Sequence, residues 1–391
     1  MPARNPAKDQ VAIVGVGLAR YSRDNTGRTL TGLALEACRS AIADAGLEAP
    51  DIDGICGSSV PFWDVQSSLG IPETTWGANP RVPFAFQIID AMNAVYSGAC
   101  TTAVAYHSTI RPPGSMEATV DPLRLRAIEA GEHAPAPEVG SMAHGGVGYA
   151  AWAGRYLHQF NAGRDTLGLI AINNRTNAAQ NPNAVLRQPL TMDDYLGVRM
   201  IRDPLCLYDL DVFVDAADAL VITTTERARD LPQVPVLIHA ATTGRAELNR
   251  EDQMDGLHTN GQAVAARQLW DKSELMLEDM EVLYAYDGFS IINLLWLESL
   301  GYCGPGEAKD LLPASWRAEQ NRLVLPPRGV LVNPHGGSLS EGGTQGSGAA
   351  RDAVIQLRGQ AGARQVYGVK TALLAIGGVL WNPGLIVLRT S

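Results

Sequence analysis

The order of elements in this chain predicts an α/β protein of two duplicated halves with mostly parallel sheets. Three observations predict it. Short apolar runs that read as buried strands alternate with stretches of helical periodicity. The alternation has the form of strand–helix–strand crossovers, which are right-handed and give parallel neighbours. The succession also repeats at a period of roughly 200 residues, well beyond any short solenoid repeat.

The first strand is "QVAIVGVG". Its GxG lacks the third glycine of a dinucleotide loop, because Leu18, Ala19 and Arg20 follow. "TLTGLALEACRSAIADAG" is the next element. Leu30, Leu33, Ala34, Ala37, Ala41 and Ala45 lie on one stripe of a helix there, and Gly46 is a natural stop. "DIDGICGSSV" is a second strand. Later, "VPVLIHAATTG" and "GQAVAARQLWDKSELMLEDMEVLYAYDGFS" repeat the plan of strand, helix, acidic turn and strand. "QIIDAMNAVYSGACTTAVAYHSTI" and "AARDAVIQLRGQAGARQVYGVKTALLAIGG" likewise share helix, glycine turn and strand. The halves are expected at 1–232 and 233–391. Within the first, an insertion at about 111–210 opens with a Pro-, Gly- and charge-rich surface excursion. Its helices, "YAAWAGRYLHQF" and "RDTLGLIAINNRTNAA", are expected over the strand ends of the first half, where α/β sites lie.

Composition narrows the function. A net charge of −10 disfavours nucleic-acid binding, which needs a basic face. No run nears the ~18 apolar residues of a membrane span, and "MPARNPAKDQ" has no signal-peptide core. The five cysteines, Cys38, Cys56, Cys100, Cys206 and Cys303, show no CxxC pair, so a reducing cytoplasm fits. The seven histidines show no HxH or HxxxH spacing, and no metal is expected. A Schiff base needs a desolvated lysine. Only Lys8, Lys272, Lys309 and Lys370 exist, none in a glycine-rich motif, although Lys370 opens the last strand.

The glycine-rich run "NPHGGSLSEGGTQGSG" follows a strand and precedes a helix. Together with "YDGFSIINLLWLESLGYCGPGEA", "AIGGVLWNPGLIVL" and "DVFVDAADALVITTTERARDL", it resembles the thiolase-like superfamily over essentially the whole chain. The nearest branch is that of sterol-carrier-type thiolases and lipid-transfer-type side-chain aldolases. The resemblance implies a thiolase-like five-layer αβαβα fold, a tight homodimer and a coenzyme A thioester as substrate, with no tightly bound cofactor. It also implies a small partner carrying an OB-fold and a zinc ribbon.

The thiolase groups do not carry over. The nucleophilic cysteine should stand near Arg81 to Pro83, at the start of "PFAFQIIDAMNAVYSG", and none is there. Cys100 comes after that helix. Gly342-Gly343-Thr344 replaces the family's Gly-His-Pro, and Ala375 stands where its second cysteine would be. Claisen chemistry needs a thiolate to take the acyl group, so thiolase activity is not expected.

The fourth position reads Tyr286-Asp287-Gly288-Phe289, in the manner of the aldolases, which implies an acid or base role for Tyr286 in retro-aldol cleavage of a β-hydroxyacyl-CoA. A phenol with a pKa of about 10 is a poor base, and a dry pocket with donors is expected to lower it. The aldolases' second tyrosine is replaced by Gly343. His335 is the substitute base, with Glu341 orienting it or acting itself. Gly336, Gly337, Gly343, Gly346, Gly377 and Gly378 are the expected backbone cradle for the thioester. His144 is a further candidate facing the site from the insertion. Trp63, Trp76 and Trp152 are candidates for an apolar acyl pocket, against a role in the core or a dimer contact. Two other functions stay open: an acyl-CoA condensing enzyme with a rebuilt mechanism, and a non-catalytic subunit that binds acyl-CoA and the partner.

Overall fold

The computed structural model describes residues 5–24, 27–80, 82–111, 146–246, 256–379 and 382–390. Arg81, His133, His144 and most of the Pro- and Gly-rich excursion lie outside the described residues.

The first half contributes β1 (Val11–Ser22), β2 (Gly54–Ser58), β3 (Trp76–Ala78), β4 (Thr102–Thr109) and, after a small hairpin of β5 (Met200–Arg202) and β6 (Leu205–Cys206), β7 (Asp215–Thr224). The second contributes β8 (Val236–Thr243), β9 (Val282–Ala285), β10 (Trp316–Arg317), β11 (Arg322–Leu325), β12 (Val330–Val332), β13 (Thr371–Ile376) and β14 (Gly384–Thr390). Outward from the junction, the halves run β1-β7-β4-β2-β3 and β8-β14-β13-β9-β12. The two orders match strand for strand, as duplication requires. Only Ala12↔Leu237 and Ile13↔Val236 pair across the junction.

Three apolar cores define the layers. On the outer side of the first half-sheet, α1 (Leu30–Asp44) packs Leu33, Ala37 and Ala41 beside Val14, Val104 and Val221. Thr29 caps that helix by accepting from the Gly32 N–H at 3.0 Å. α2 (Phe62–Leu69) lies on the same outer side, whereas α3 (Phe84–Ser97) lies between the half-sheets. On the outer side of the second half-sheet are α4 (Gly146–Gln159), α5 (Arg164–Ala178), α8 (Gly261–Lys272) and α9 (Ser290–Leu300), after the short α6 (Met192–Gly197) and α7 (Thr225–Ala228). The short α10 (Ala308–Ala314) and α11 (Gly337–Ser340) follow, and α12 (Ser347–Leu357) joins α3 in the centre, where both touch strands of both halves. The result is the five-layer αβαβα arrangement.

The GxG of the first strand has a packing explanation. A Cβ at Gly15 would stand 2.9 Å from the Ala45 methyl, and one at Gly17 would overlap the backbone of α1. The glycines let α1 lie flush on β1. The insertion departs from expectation. Its described helices, α4 and α5, pack with the second half, not over the first. The reason is polar as well as apolar. Asn173 and Asn177 of α5 both donate to the Val332 carbonyl, at 3.0 and 2.9 Å, so the helix is tied to the end of β12.

Candidate active site

Three neighbouring parallel strands end together. β9 is flanked by β12 and β13, with Leu283 opposite Val332 and Ala285 opposite Ala375. Their carboxyl ends deliver Tyr286 from β9, Asn333 and His335 from β12, and Gly377 from β13. Ligands of open α/β sheets bind at such ends. The Tyr286 N–H donates to the Ala375 carbonyl at 2.8 Å, and Asn333 donates through its side chain to the Ala285 carbonyl at 2.9 Å, which fixes both loops to the sheet.

Tyr286, Asp287, His335, Gly342, Thr344 and Gly346 line one pocket. Tyr286 and His335 thus border the same small cavity. The Tyr286 hydroxyl lies against Gly288, where a Cβ would stand 2.7 Å from it. The expected lowering of its pKa does not occur. Burial raises it, and the carboxylates of Asp211 and Asp287 raise it further, so the phenol keeps its proton. His335 is buried, and burial lowers its pKa to about 4. The imidazole is neutral near pH 7 and a weak proton acceptor. Its Nδ1 has no partner among the described residues, and its Nε2 lies 4.0 Å from Glu341 Oε2.

Glu341 does not line the pocket. It accepts from Arg351 at 2.5 Å and from Asn181 at 2.8 Å. The Arg351 guanidinium also donates to Asp218 at 2.6 Å, and Asp218 accepts from Tyr21 and Ser347, each at 2.5 Å. This network is fully buried under the glycine-rich loop. Burial raises the pKa of both carboxyls, and Arg351 opposes the rise.

Asp287 holds the loop from the other side. It accepts from the Ser338 and Leu339 N–H groups at 2.7 and 3.1 Å and from Asn174 at 2.6 Å. Its pKa is nonetheless raised by burial, to about 7.

Of the six glycines expected in the cradle, Gly346 lines the pocket, joined by Gly342. Gly336 packs on Ala178, and Gly337 on Asp287 and Asn174. Both have positive φ, 107° and 64°, which a side chain there would strain. Gly343 faces Asp211, and Gly377 and Gly378 abut Asn382. Trp63 is 56% exposed, Trp152 is in the core and Trp76 lies on the edge strand β3. None of the three lines the pocket.

No sulfur reaches the pocket either. Cys56 donates to the Gln87 carbonyl, and burial raises its pKa well above the usual thiol range. Cys100 is buried against Gly54 at the far end of α3 from the glycine-rich loop. Fourteen helical residues, at ~1.5 Å each, put ~20 Å between that end and the Phe84 N–H. That N–H donates to the Gln345 carbonyl at 3.0 Å.

Asp211, Asn174, Asn181 and Arg351 escaped the sequence reading. One signal was available. Asn173 and Asn177, four residues apart, lie on one face of α5, and Asn181 continues the spacing just past the end of the helix.

Buried neutral histidines predict an acid weakness. His107, like His335, is buried, and its pKa falls to about 4, through burial first and the Arg111 charge second. The folded values lie below the ordinary ~6.5, so the unfolded chain binds these protons more tightly. Their contribution is fully present above pH ~6.5 and is lost as pH falls toward ~4, on the order of 3 kcal/mol per histidine. The unfolding temperature is expected to drop between pH 7 and pH 5. A flat profile over that interval contradicts the assignment.

The chain is similar to several known proteins. Residues 245–390 match the family model "Thiolase C-terminal domain-like". The chain is 33% identical to the 17-hydroxy-3-oxo-4-pregnene-20-carboxyl-CoA lyase of Mycobacterium tuberculosis, over 97% of this chain and 99% of that one. It is 31% identical to the steroid side-chain-cleaving aldolase of Thermomonospora curvata, over 96% and 97%. Among solved structures, the "Ltp2-ChsH2(DUF35) aldolase" superposes with a TM-score of 0.83 at 29% identity, covering 98% of both chains.

Proposed function

This chain belongs to the thiolase-like superfamily, in the branch that holds the steroid side-chain-cleaving aldolases, and from that membership we propose how its site works. It is a thiolase-fold carbon–carbon lyase that splits a β-hydroxyacyl-CoA by the retro-aldol route. The products are an aldehyde or ketone and a shorter acyl-CoA. The observation that carries the site assignment is that Tyr286 and His335 border one cavity with no cysteine.

Tyr286 is the acid of this reading, and His335 is a hydrogen-bonding group beside it. The phenol, held protonated, is the acid that serves the thioester enolate. The unpartnered Nδ1 of His335 hydrogen-bonds the substrate. Glu341 orients His335 from below and does not itself touch the substrate. The Gly342–Gly346 backbone and the N-terminus of α12 favour the developing negative charge.

A steroid-type acyl group is proposed from the two bacterial relatives. A homodimer and a small OB-fold, zinc-ribbon partner are proposed as well. The partner is supported by the similar structure, whose name joins two components. A cytoplasmic setting is supported by five unpaired thiols, and no helix among the described residues is long and apolar enough to cross a membrane.

The test uses 17-hydroxy-3-oxo-4-pregnene-20-carboxyl-CoA, the thioester for which one relative is named. The expected products are a 17-ketosteroid and a shorter acyl-CoA, with no acyl group on the protein by mass spectrometry. A covalent acyl-enzyme on any cysteine instead selects the acyltransferase reading.

A further inference from the structure

Retro-aldol cleavage begins with removal of the β-hydroxyl proton, and neither group named so far is suited to take it. Tyr286 keeps its own proton, and His335 is weakly basic. Three carboxylates stand near. Asp287 accepts from three donors, and Glu341 is held by Arg351 and Asn181. Asp211 is different. Its side chain makes no hydrogen bond or ion pair among the described residues, and it is only partly buried.

Asp211 is not part of the cavity lining shared by Tyr286 and His335; the backbone places it against the two loops that border that cavity, at Gly288 and Gly343. Residues 209–214 cross from the first half as a strap over the two site loops. The Asp211 N–H donates to the Gly288 carbonyl at 3.1 Å, and the Val212 N–H donates to the Ser338 carbonyl at 2.9 Å. The Gly343 N–H returns a bond to the Val212 carbonyl at 2.8 Å. A Cβ at Gly343 would overlap Asp211 Oδ2 and stand 2.9 Å from its carboxyl carbon. The absence of a side chain at 343 is therefore what makes room for this carboxylate. Gly288, whose carbonyl receives the Asp211 N–H, is also the residue against which the Tyr286 hydroxyl rests.

We propose that Asp211 is the proton acceptor of the cleavage step, its carboxylate occupying the space left by Gly343 beside the Tyr286 hydroxyl. The proposal rests on the lyase reading above. In the step, Asp211 takes the β-hydroxyl proton, and the O–H electron pair forms the new C=O bond. The Cα–Cβ bond breaks, and its electrons enter the thioester enolate. The enolate carbon takes a proton from Tyr286, which recovers one from the protonated Asp211. Nothing is oxidised or reduced, and no co-reactant is needed.

The charged and titratable groups around Asp211 are Arg111, Tyr286 and, next to Tyr286, Asp287. Burial raises the Asp211 pKa, and Arg111 opposes the rise. The net rise makes this carboxylate a stronger proton acceptor than a solvated one.

The experiment compares the wild type with Asp211→Asn and Gly343→Ala on 17-hydroxy-3-oxo-4-pregnene-20-carboxyl-CoA and a panel of other β-hydroxyacyl-CoA thioesters. Asp211→Asn is expected to lower kcat by ~100-fold or more with little change in KM, and to remove the acid limb of the kcat/KM profile. Gly343→Ala pushes on the carboxylate without deleting it, so it should lower kcat as well; it carries the test if the asparagine variant fails to fold. An Asp211→Asn enzyme that keeps a third of its turnover, or loses turnover while the acid limb stays, overturns the base assignment and leaves the lyase reading intact. A wild type inert toward the whole panel removes both.

Discussion

Tyr286→Phe is expected to lower kcat for retro-aldol cleavage by ~100- to 1000-fold, with KM nearly unchanged. The variant deletes one hydroxyl and keeps the ring that packs in the pocket. The loss should fall on the transition state, because the thioester oxygen and α-carbon carry extra negative charge only there. The local electrostatics supply the reason. Burial first, and the Asp211 and Asp287 carboxylates after it, keep the phenol protonated across the neutral range, so its hydroxyl is present as a hydrogen-bond donor. Steady-state kinetics checks the split between kcat and KM. Turnover equal to wild type removes Tyr286 from the mechanism. A raised KM at constant kcat would make it a binding residue only. Gly288→Ala is a companion variant: its methyl would stand 2.7 Å from the hydroxyl and displace it. It should reproduce part of the loss with the phenol still present.

The second large effect concerns stability. Arg351→Leu is expected to cost about 3–5 kcal/mol. Arg351 is 1% exposed and is the cation between Asp218 and Glu341. Its removal leaves two carboxylates facing each other in a dry interior. They then take up protons or admit water, and either change loosens the loop that carries His335. For a chain of this length the cost corresponds to roughly a 5 °C lower unfolding temperature, from ~2 cal/mol/K of unfolding entropy per residue. Arg351→Lys keeps the charge but cannot span both carboxylates with a fork, so it should fall between. The deficit should shrink in mild acid, where protonation of the two acids replaces the lost cation. Differential scanning calorimetry at two pH values checks both points, and an unfolding temperature within 1 °C of wild type for Arg351→Leu refutes the network's role.

Much of the architecture was legible in the residues. Apolar strands and helical stripes occur twice in one order, and burial of each stripe against a sheet leaves few other arrangements. The site was legible where function and local structure coincide. "YDGF" follows an apolar strand, and "NPHGG" follows another, so both fall at strand ends. Parallel pairing of β9 and β12 then brings Tyr286 and His335 to one cavity. The insertion was misplaced for a physical reason. Nothing in local periodicity says which sheet a helix will cover; here the amide stripe of α5 found the carbonyls at the end of β12. Asp211 was passed over because "DLDVF" has no spacing to the other site residues. It is 75 positions from Tyr286 in the chain, and only the strap through Gly288 and Ser338 closes that distance.

The amino-acid sequence alone determined the doubled α/β plan and the lack of a nucleophilic sulfur at the thiolase position, since both depend on which residue types stand in which order. Tertiary structure decided the rest: which carboxylates are paired and which is left open, and in which direction each pKa moves. These are properties of burial and of charges brought close from distant parts of the chain, and a Coulomb interaction depends on separation in space, not along the backbone.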